Sequence, residues 1–271
     1  MKYCVHYHKN SPFRYAAEVA ELEILFRPED TSLPAFIQEH SNQTIILSIT
    51  KEQIENAAMV KRLAAIGKEF SNVKMRLPAL PKTTLTSPYV DAVAAFKEAN
   101  IPYFFMNYID SWDLLQGILA LDPSDIYIVN ELGFSLKQIR EITKEKHIQI
   151  RCFANFAQSN WAGTAPCRTF FIRPDDVEFY EQYVDVLQFM GDEKNFSTYY
   201  CIYEYDRKWF GQLKEIIIGY DSDADNRSYA PMFAQFRCGC GKRCMRGSSC
   251  NICERIEKIS EALIEQNMII R

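Results

Sequence analysis

Short apolar runs alternate with amphipathic segments along the first 190 residues. Residues 3–7, 22–26, 44–49, 73–77, 103–108, 125–129, 148–153, 170–172 and 184–189 read as strands. Several are apolar almost throughout, as expected for parallel strands covered on both faces. Helix signals fall between them. Thr50 and Gln53 form a capping box ahead of Met59, Leu63, Ile66 and Phe70, which recur at helical spacing. Ser87-Pro88 supplies a cap and a proline suited to a first turn. Ser111 caps a segment carrying Leu114, Leu115 and Ile118, and Ser135 with Gln138 makes a second capping box before Ile139 and Ile142. Asp175 and Asp176 follow Pro174, where acidic side chains favour the start of a helix.

Successive strands lie about 20 to 30 residues apart, the length of one strand–helix unit. Close to eight such units fit residues 1–190, which predicts an α/β fold of the (β/α)8, TIM-barrel type. With only ten glycines, and no glycine-rich turn after an early strand, a dinucleotide-binding sheet is disfavoured. Regularity ends after Phe189. Residues 191–271 read as a C-terminal appendage packed on the barrel, with an aromatic-rich stretch from Tyr199 to Phe210 suited to contact with a partner. The chain closes with a helix in which Ile252, Ile256, Ile259 and Leu263 share a face.

That appendage contains the densest chemistry in the chain. Cys238, Cys240, Cys244, Cys250 and Cys253, five of the nine cysteines, fall within sixteen residues. Packing gains nothing from clustered thiols, whereas a tetrahedral ion needs several sulfurs at one point. Zinc is the favoured ion, and an iron–sulfur cluster is the rival. Four ligands suffice, which leaves Cys238 or Cys240 as the spare. Arg237, Lys242, Arg243 and Arg246 surround these thiols. They suit a nucleic-acid or protein partner, or they offset the charge of the thiolates. A net charge of −4 argues against a protein that wraps nucleic acid over its whole surface. No stretch approaches the ~20 apolar residues of a membrane span, and residues 1–8 do not form a signal peptide. The expected setting is the reducing cytoplasm, where cysteines serve as thiols or metal ligands.

In a barrel of this type, functional groups sit just past the C-terminal ends of the strands. There the chain offers His8, Arg27, Arg76, Asn107, Asp110, Asn130, Glu131, Asn155 and Gln158. Glu131 suits acid–base work beside Asn130, with Asn155 as a third catalytic candidate. Arg27, Arg76, Asn107 and Arg151 suit a carboxylate or phosphate. Cys4, His6 and His8 lie in phase on the first strand, but they are too spread out to hold one ion unaided, so packed histidines are the better reading. Cys152 is a poor nucleophile candidate, since His147 precedes the same strand at its wrong end. Residues 221–226 resemble the start of a calcium loop but lack its glycine, and Met232 stands at the position of the bidentate glutamate.

Residues 130–189 carry a resemblance. Glu131-Leu132-Gly133, Arg151-Cys152-Phe153-Ala154-Asn155, Cys167 and Phe171-Ile172-Arg173-Pro174-Asp175-Asp176 are similar to segments of the collagenase-like "peptidase" family. The resemblance implies a TIM-type barrel with cysteine-ligated iron–sulfur chemistry. It also implies hydroxylation of RNA bases or quinone precursors rather than proteolysis. Where that family has His-Gly-x-x-Cys, this chain has Phe153-Ala154-Asn155-Phe156. Two functions follow. One is a metal-bearing barrel acting on an anionic or nucleic-acid-derived substrate at its mouth. The other is a non-catalytic barrel, structural or interacting, whose cysteine segment is a zinc staple.

Overall fold

The computed structural model describes residues 1–7, 18–80, 87–109, 112–128, 136–156, 170–172, 174–191 and 193–218. Its elements run β1 (Lys2–His6), β2 (Glu21–Leu25), α1 (Leu33–Glu39), β3 (Thr44–Ser48), α2 (Lys51–Ile54), α3 (Ala57–Glu69), β4 (Val73–Leu77) and α4 (Ser87–Glu98). They continue with β5 (Tyr103–Ile109), α5 (Trp112–Leu119), β6 (Asp125–Ile128), α6 (Leu136–Glu145) and β7 (Gln149–Phe153). After these come β8 (Asn155–Phe156), β9 (Phe170–Phe171), α7 (Val177–Tyr180), β10 (Val186–Phe189) and α8 (Glu193–Tyr205).

Eight strands close into a parallel barrel in the order β1-β10-β7-β6-β5-β4-β3-β2. Closure pairs Lys2 with Val186 and Val5 with Phe189, so the barrel sheet has no open edge. The expected (β/α)8 architecture is therefore present. The run 170–172 belongs elsewhere. Phe170–Phe171 forms β9, which pairs antiparallel with β8 in a separate two-stranded sheet.

Local chemistry explains the helix boundaries. Gln53 N donates to Thr50 Oγ1 at 3.3 Å, and Thr50 N donates to Gln53 Oε1 at 3.0 Å, which completes the expected capping box. The helix it starts ends after four residues. Asn56 then accepts from Ala58 N (3.0 Å) and Met59 N (3.3 Å) and caps α3 as a new helix. Asn100, Asp122 and His147 adopt left-handed backbone angles in the short links that lead into β5, β6 and β7. His147 is thus an exposed turn residue at the N-terminal end of β7.

Two apolar layers result from strand alternation. Outward-facing residues such as Leu22, Ile24, Leu47, Met75, Phe105 and Leu187 pack in the large outer core shared with the helices. Inward-facing Cys4, Ile46, Phe104, Tyr127, Phe153 and Val186 form a separate inner cluster. Tyr127 stacks on Phe153 with ring centres 5.1 Å apart. The aromatic run after residue 197 lies in α8, and Phe196, Tyr199, Tyr200 and Tyr203 are buried in the outer core. Tyr203 donates to Ile172 O at 2.6 Å, with Ala154 O at 3.0 Å, and its ring meets Phe189 edge-on at 5.0 Å. Among the described residues, no helix is long and apolar enough to cross a membrane.

Candidate functional site at the barrel mouth

Charged side chains share the barrel interior with the inner apolar cluster. They come from positions that alternate with outward-facing apolar residues: Glu21 and Glu23 on β2, Lys74 and Arg76 on β4, Asp125 on β6, and Arg151 on β7. Three carboxylates therefore face three cations. Strand register sorts them into two tiers.

The lower tier lies toward the N-terminal ends of the strands. Lys74 Nζ donates to Asp125 Oδ1 (3.1 Å) and Oδ2 (2.9 Å) and to Gln149 Oε1 (3.2 Å). Arg151 donates from Nε to Asp125 Oδ1 at 2.7 Å and from Nη2 to Glu21 Oε2. Its guanidinium also lies over the Phe104 ring, 4.7 Å from the centre. Glu21 Oε1 has no hydrogen-bond partner among the described residues, and Lys74 Nζ lies 3.7 Å from it. Burial opposes ionisation of Asp125, but Arg151 and Lys74 outweigh it and hold its carboxyl below the usual carboxylate range. With Arg151 fully buried and its donors committed, this tier is an internal brace.

The upper tier lies toward the C-terminal mouth, where barrels of this type place their chemistry. Glu23 is its centre. Oε1 accepts from Ser48 Oγ (2.7 Å) and lies 2.8 Å from Arg76 Nε and 3.5 Å from His6 Nδ1. Oε2 accepts from Gln188 Nε2 at 2.9 Å. Burial alone would raise the Glu23 carboxyl. Arg76, His6 and Ser48 reverse that and bring it down to about 2, so Glu23 is ionised at neutral pH.

Arg76 faces both tier and mouth, with 19% of its side chain exposed. Nε donates to Ser48 Oγ at 2.9 Å. Nη1 donates to the thioether of Met106 at 2.7 Å. Nη2 has no hydrogen-bond partner among the described residues. His6, 29% exposed, sits opposite Glu23 in the register of β1 and β2.

The other sequence-derived candidates are placed as follows. Arg27 is exposed on the turn after β2, where Asp30 N donates to its carbonyl at 3.1 Å. Asn107 is occupied by backbone: Leu80 N donates to Oδ1 at 2.7 Å, and Nδ2 donates to Leu80 O at 3.2 Å. Asn155 makes the same two-way clasp with Met190, both bonds 2.9 Å. Arg151 lies in the lower brace. His8, Asp110, Asn130, Glu131, Gln158, Cys167 and all five cysteines from Cys238 to Cys253 lie outside the described residues, as do residues 221–226. Among the described residues, no group of three or more His, Cys, Asp or Glu side chains is arranged to hold a metal ion. Cys4 and Cys152 are buried, and burial pushes both thiols up, so they stay protonated.

Sequence reasoning passed over Glu23, Ser48 and Gln188. A signal was present: two glutamates two apart on an otherwise apolar strand put acid on one face, and Lys74 with Arg76 put base on one face of β4.

Fold and interior together define a (β/α)8-type barrel with an ionised mouth. No protein-family profile matches the chain, and no curated protein does. Solved structures that match it include the following two. One is a xylose isomerase domain protein from Planctomyces limnophilus, with 11% identity, 73% of this chain and 92% of that chain covered, and a TM-score of 0.45. The other is an HpcH/HpaI aldolase from Desulfitobacterium hafniense DCB-2, with 11% identity, 73% and 88% covered, and a TM-score of 0.39.

Proposed function

We propose that the barrel mouth binds an anionic small ligand on Arg76, and that the cysteines of residues 238–253 hold a metal ion. The ligand is a phosphate- or carboxylate-bearing compound, nucleic-acid-derived in the reading that the family resemblance favours. The observation that carries the proposal is the state of the Arg76 guanidinium. Nη1 donates to a thioether, a weak acceptor, and Nη2 has no partner among the described residues. An oxyanion would meet both as a forked pair of charge-assisted hydrogen bonds. Glu23 at Nε holds the guanidinium plane in place.

The cysteine segment fits a closed, four-thiolate zinc site by its donor set, and its role is then to staple residues 191–271 to the barrel. Iron with labile sulfide there would instead favour the hydroxylase reading. A non-catalytic, interacting barrel is the second reading, supported by the exposed rings of Tyr205 and Phe210.

Thermal unfolding of the full chain against inorganic phosphate, small phosphate esters and dicarboxylates tests the anion site. A saturable rise in Tm is expected, weakened at least ~10-fold in apparent affinity in Arg76→Gln, as for loss of a charge-assisted pair. No shift with any of these anions, or an equal shift in the variant, would overturn the proposal and favour the second reading.

A further inference from the structure

We infer that the ligand of the mouth carries an apolar body on its anionic group, seated between Leu25, Met106 and Met190 beside Arg76. The inference rests on the anion-binding reading of Arg76 and names the kind of compound held there: a phosphate or carboxylate whose remainder is aliphatic or aromatic rather than rich in hydroxyls.

Strand register places these side chains. Glu23 faces the interior from β2, and Leu25 lies two residues further on, in the same phase. Leu25 pairs with Ser48 of β3, and Ser48 pairs with Arg76 of β4. Ser48 bonds both Glu23 and Arg76, which fixes that row as inward-facing. Leu25 and Arg76 thus lie on one rung at the mouth, two strands or roughly 10 Å apart along the rim. Ser48 between them is buried, whereas Leu25 is 47% exposed. A leucine so exposed on the inner face of a barrel strand is covered by neither core nor helix.

The other side of Arg76 is also apolar. Met106 of β5 is half-buried on the inner cluster, and its thioether accepts from Arg76 Nη1 at 2.7 Å. Met190 follows β10 in the phase of Val186 and Gln188 and packs on the same cluster, on the side of the barrel opposite β4. Asn155 clasps the backbone of Met190 at both N and O, so the position of this side chain is set by two hydrogen bonds.

An anion that pairs with Nη1 and Nη2 is therefore held against a thioether, with Leu25 on the same rung and Met190 facing it. Atoms bonded to that anion meet weak acceptors and methyl groups. A hydroxyl-rich body would give up water there without replacement, at a cost. An apolar body loses no hydrogen bonds and removes Leu25 and both thioethers from water. One charged anchor in an otherwise apolar cup is the usual composition of a small-molecule site. The flexible methionines accommodate a chain or a ring.

Thermal unfolding and calorimetric titration of the full-length protein with a graded series test this. The probes are inorganic phosphate, ethyl, butyl and hexyl phosphate, phenyl phosphate, ribose 5-phosphate and hexylammonium, each below its micelle-forming concentration. Affinity is expected to rise about two- to fourfold per methylene from ethyl to hexyl phosphate. Phenyl phosphate is expected to bind at least ~10-fold more tightly than ribose 5-phosphate, and its rank beside hexyl phosphate separates a ring ligand from a chain. Leu25→Ser, an exposed substitution, is expected to flatten the rise, and Arg76→Gln to weaken every phosphate alike. In protein carrying ¹³C-methyl methionine, hexyl phosphate is expected to shift the Met106 and Met190 methyl signals, assigned by Met106→Leu and Met190→Leu. Equal affinity for all the phosphates overturns the inference and leaves the Arg76 anion site standing. Binding of none of them overturns both. Hexylammonium binding as tightly as hexyl phosphate, or an undiminished rise in Leu25→Ser, also overturns the inference.

Discussion

Gln188 Nε2 donates to Glu23 Oε2 at 2.9 Å and so ties β10 to β2 across the intervening strand β1. Through Gln188 Oε1, the same side chain meets Arg151 of the lower tier. The two tiers are thus one hydrogen-bonded system, with Glu23 receiving donors from four strands: Ser48 on β3, Arg76 on β4, Gln188 on β10 and His6 on β1.

A carboxylate held this way makes stability depend on acid. The Glu23 carboxyl lies at about 2 in the folded chain against an ordinary 4.5. Its contribution is complete above pH 4.5 and is lost as pH falls through the folded value near 2. The window is worth on the order of 3 kcal/mol. Urea unfolding between pH 6 and pH 2.5 should show a steep loss in the wild type and a shallower one in Glu23→Gln. Parallel slopes would contradict the strong pairing of Glu23.

Arg151 should be the costliest single truncation in the interior. Arg151→Met leaves Asp125 and Glu21 buried with Lys74 as their remaining cation. Breaking a buried pair in this way costs about 3–5 kcal/mol, because the unpaired charge stays buried. Adding Asp125→Asn should cost less than the sum of the two single changes. A loss under ~1 kcal/mol for Arg151→Met would show that water reaches the brace.

The barrel was legible because parallel strands covered on both faces read as apolar runs, and β3 to β7 fall where those runs predict. Phe170–Phe171 misled the count because two adjacent phenylalanines look the same in a barrel strand and in a short hairpin. The break at Asn56 was hidden because an apolar stripe records which face is buried, not where one helix yields to another. Arg76 and Arg151 read alike in sequence. Their difference depends on register: Arg76 lies nearer the mouth, and Arg151 meets acids from β2 and β6, which are far apart in the chain. The upper tier was obscured for the same reason, since Glu23 gains its meaning only from donors on four other strands.

Gly67 gives a case where a helix rule should reverse. Alanine in place of an interior helix glycine ordinarily stabilises by about 1 kcal/mol. In α3, however, a Cβ on Gly67 would sit 2.4 Å from Ile101 Cδ1 and 2.6 Å from Cγ1, and Ile101 is buried. Relieving that overlap costs ~1–3 kcal/mol, so Gly67→Ala should destabilise. Combining it with Ile101→Val, which removes the nearest carbon, should recover part of the loss. Thermal unfolding of the three variants checks the sign, and stabilisation by Gly67→Ala alone would contradict the close approach.

The cysteine segment makes the sharpest compositional claim. Residues 250–253 form a Cys-x2-Cys pair, a spacing that lets one turn of chain present two sulfurs to one ion. Cys250→Ser should therefore abolish stoichiometric metal, and the lost metal-linked folding energy should lower Tm. Cys201→Ser is the control: this half-buried thiol lies on α8, away in sequence from the cluster, and metal content should not change. Because a tetrahedral ion needs four of the five clustered thiols, either Cys238→Ser or Cys240→Ser should keep the metal while the other loses it. Quantifying zinc, iron and labile sulfide in anaerobically purified protein separates the two metals. Full retention of metal in Cys250→Ser would remove Cys250 from the ligand set and overturn the reading in which Cys238 or Cys240 is the spare thiol.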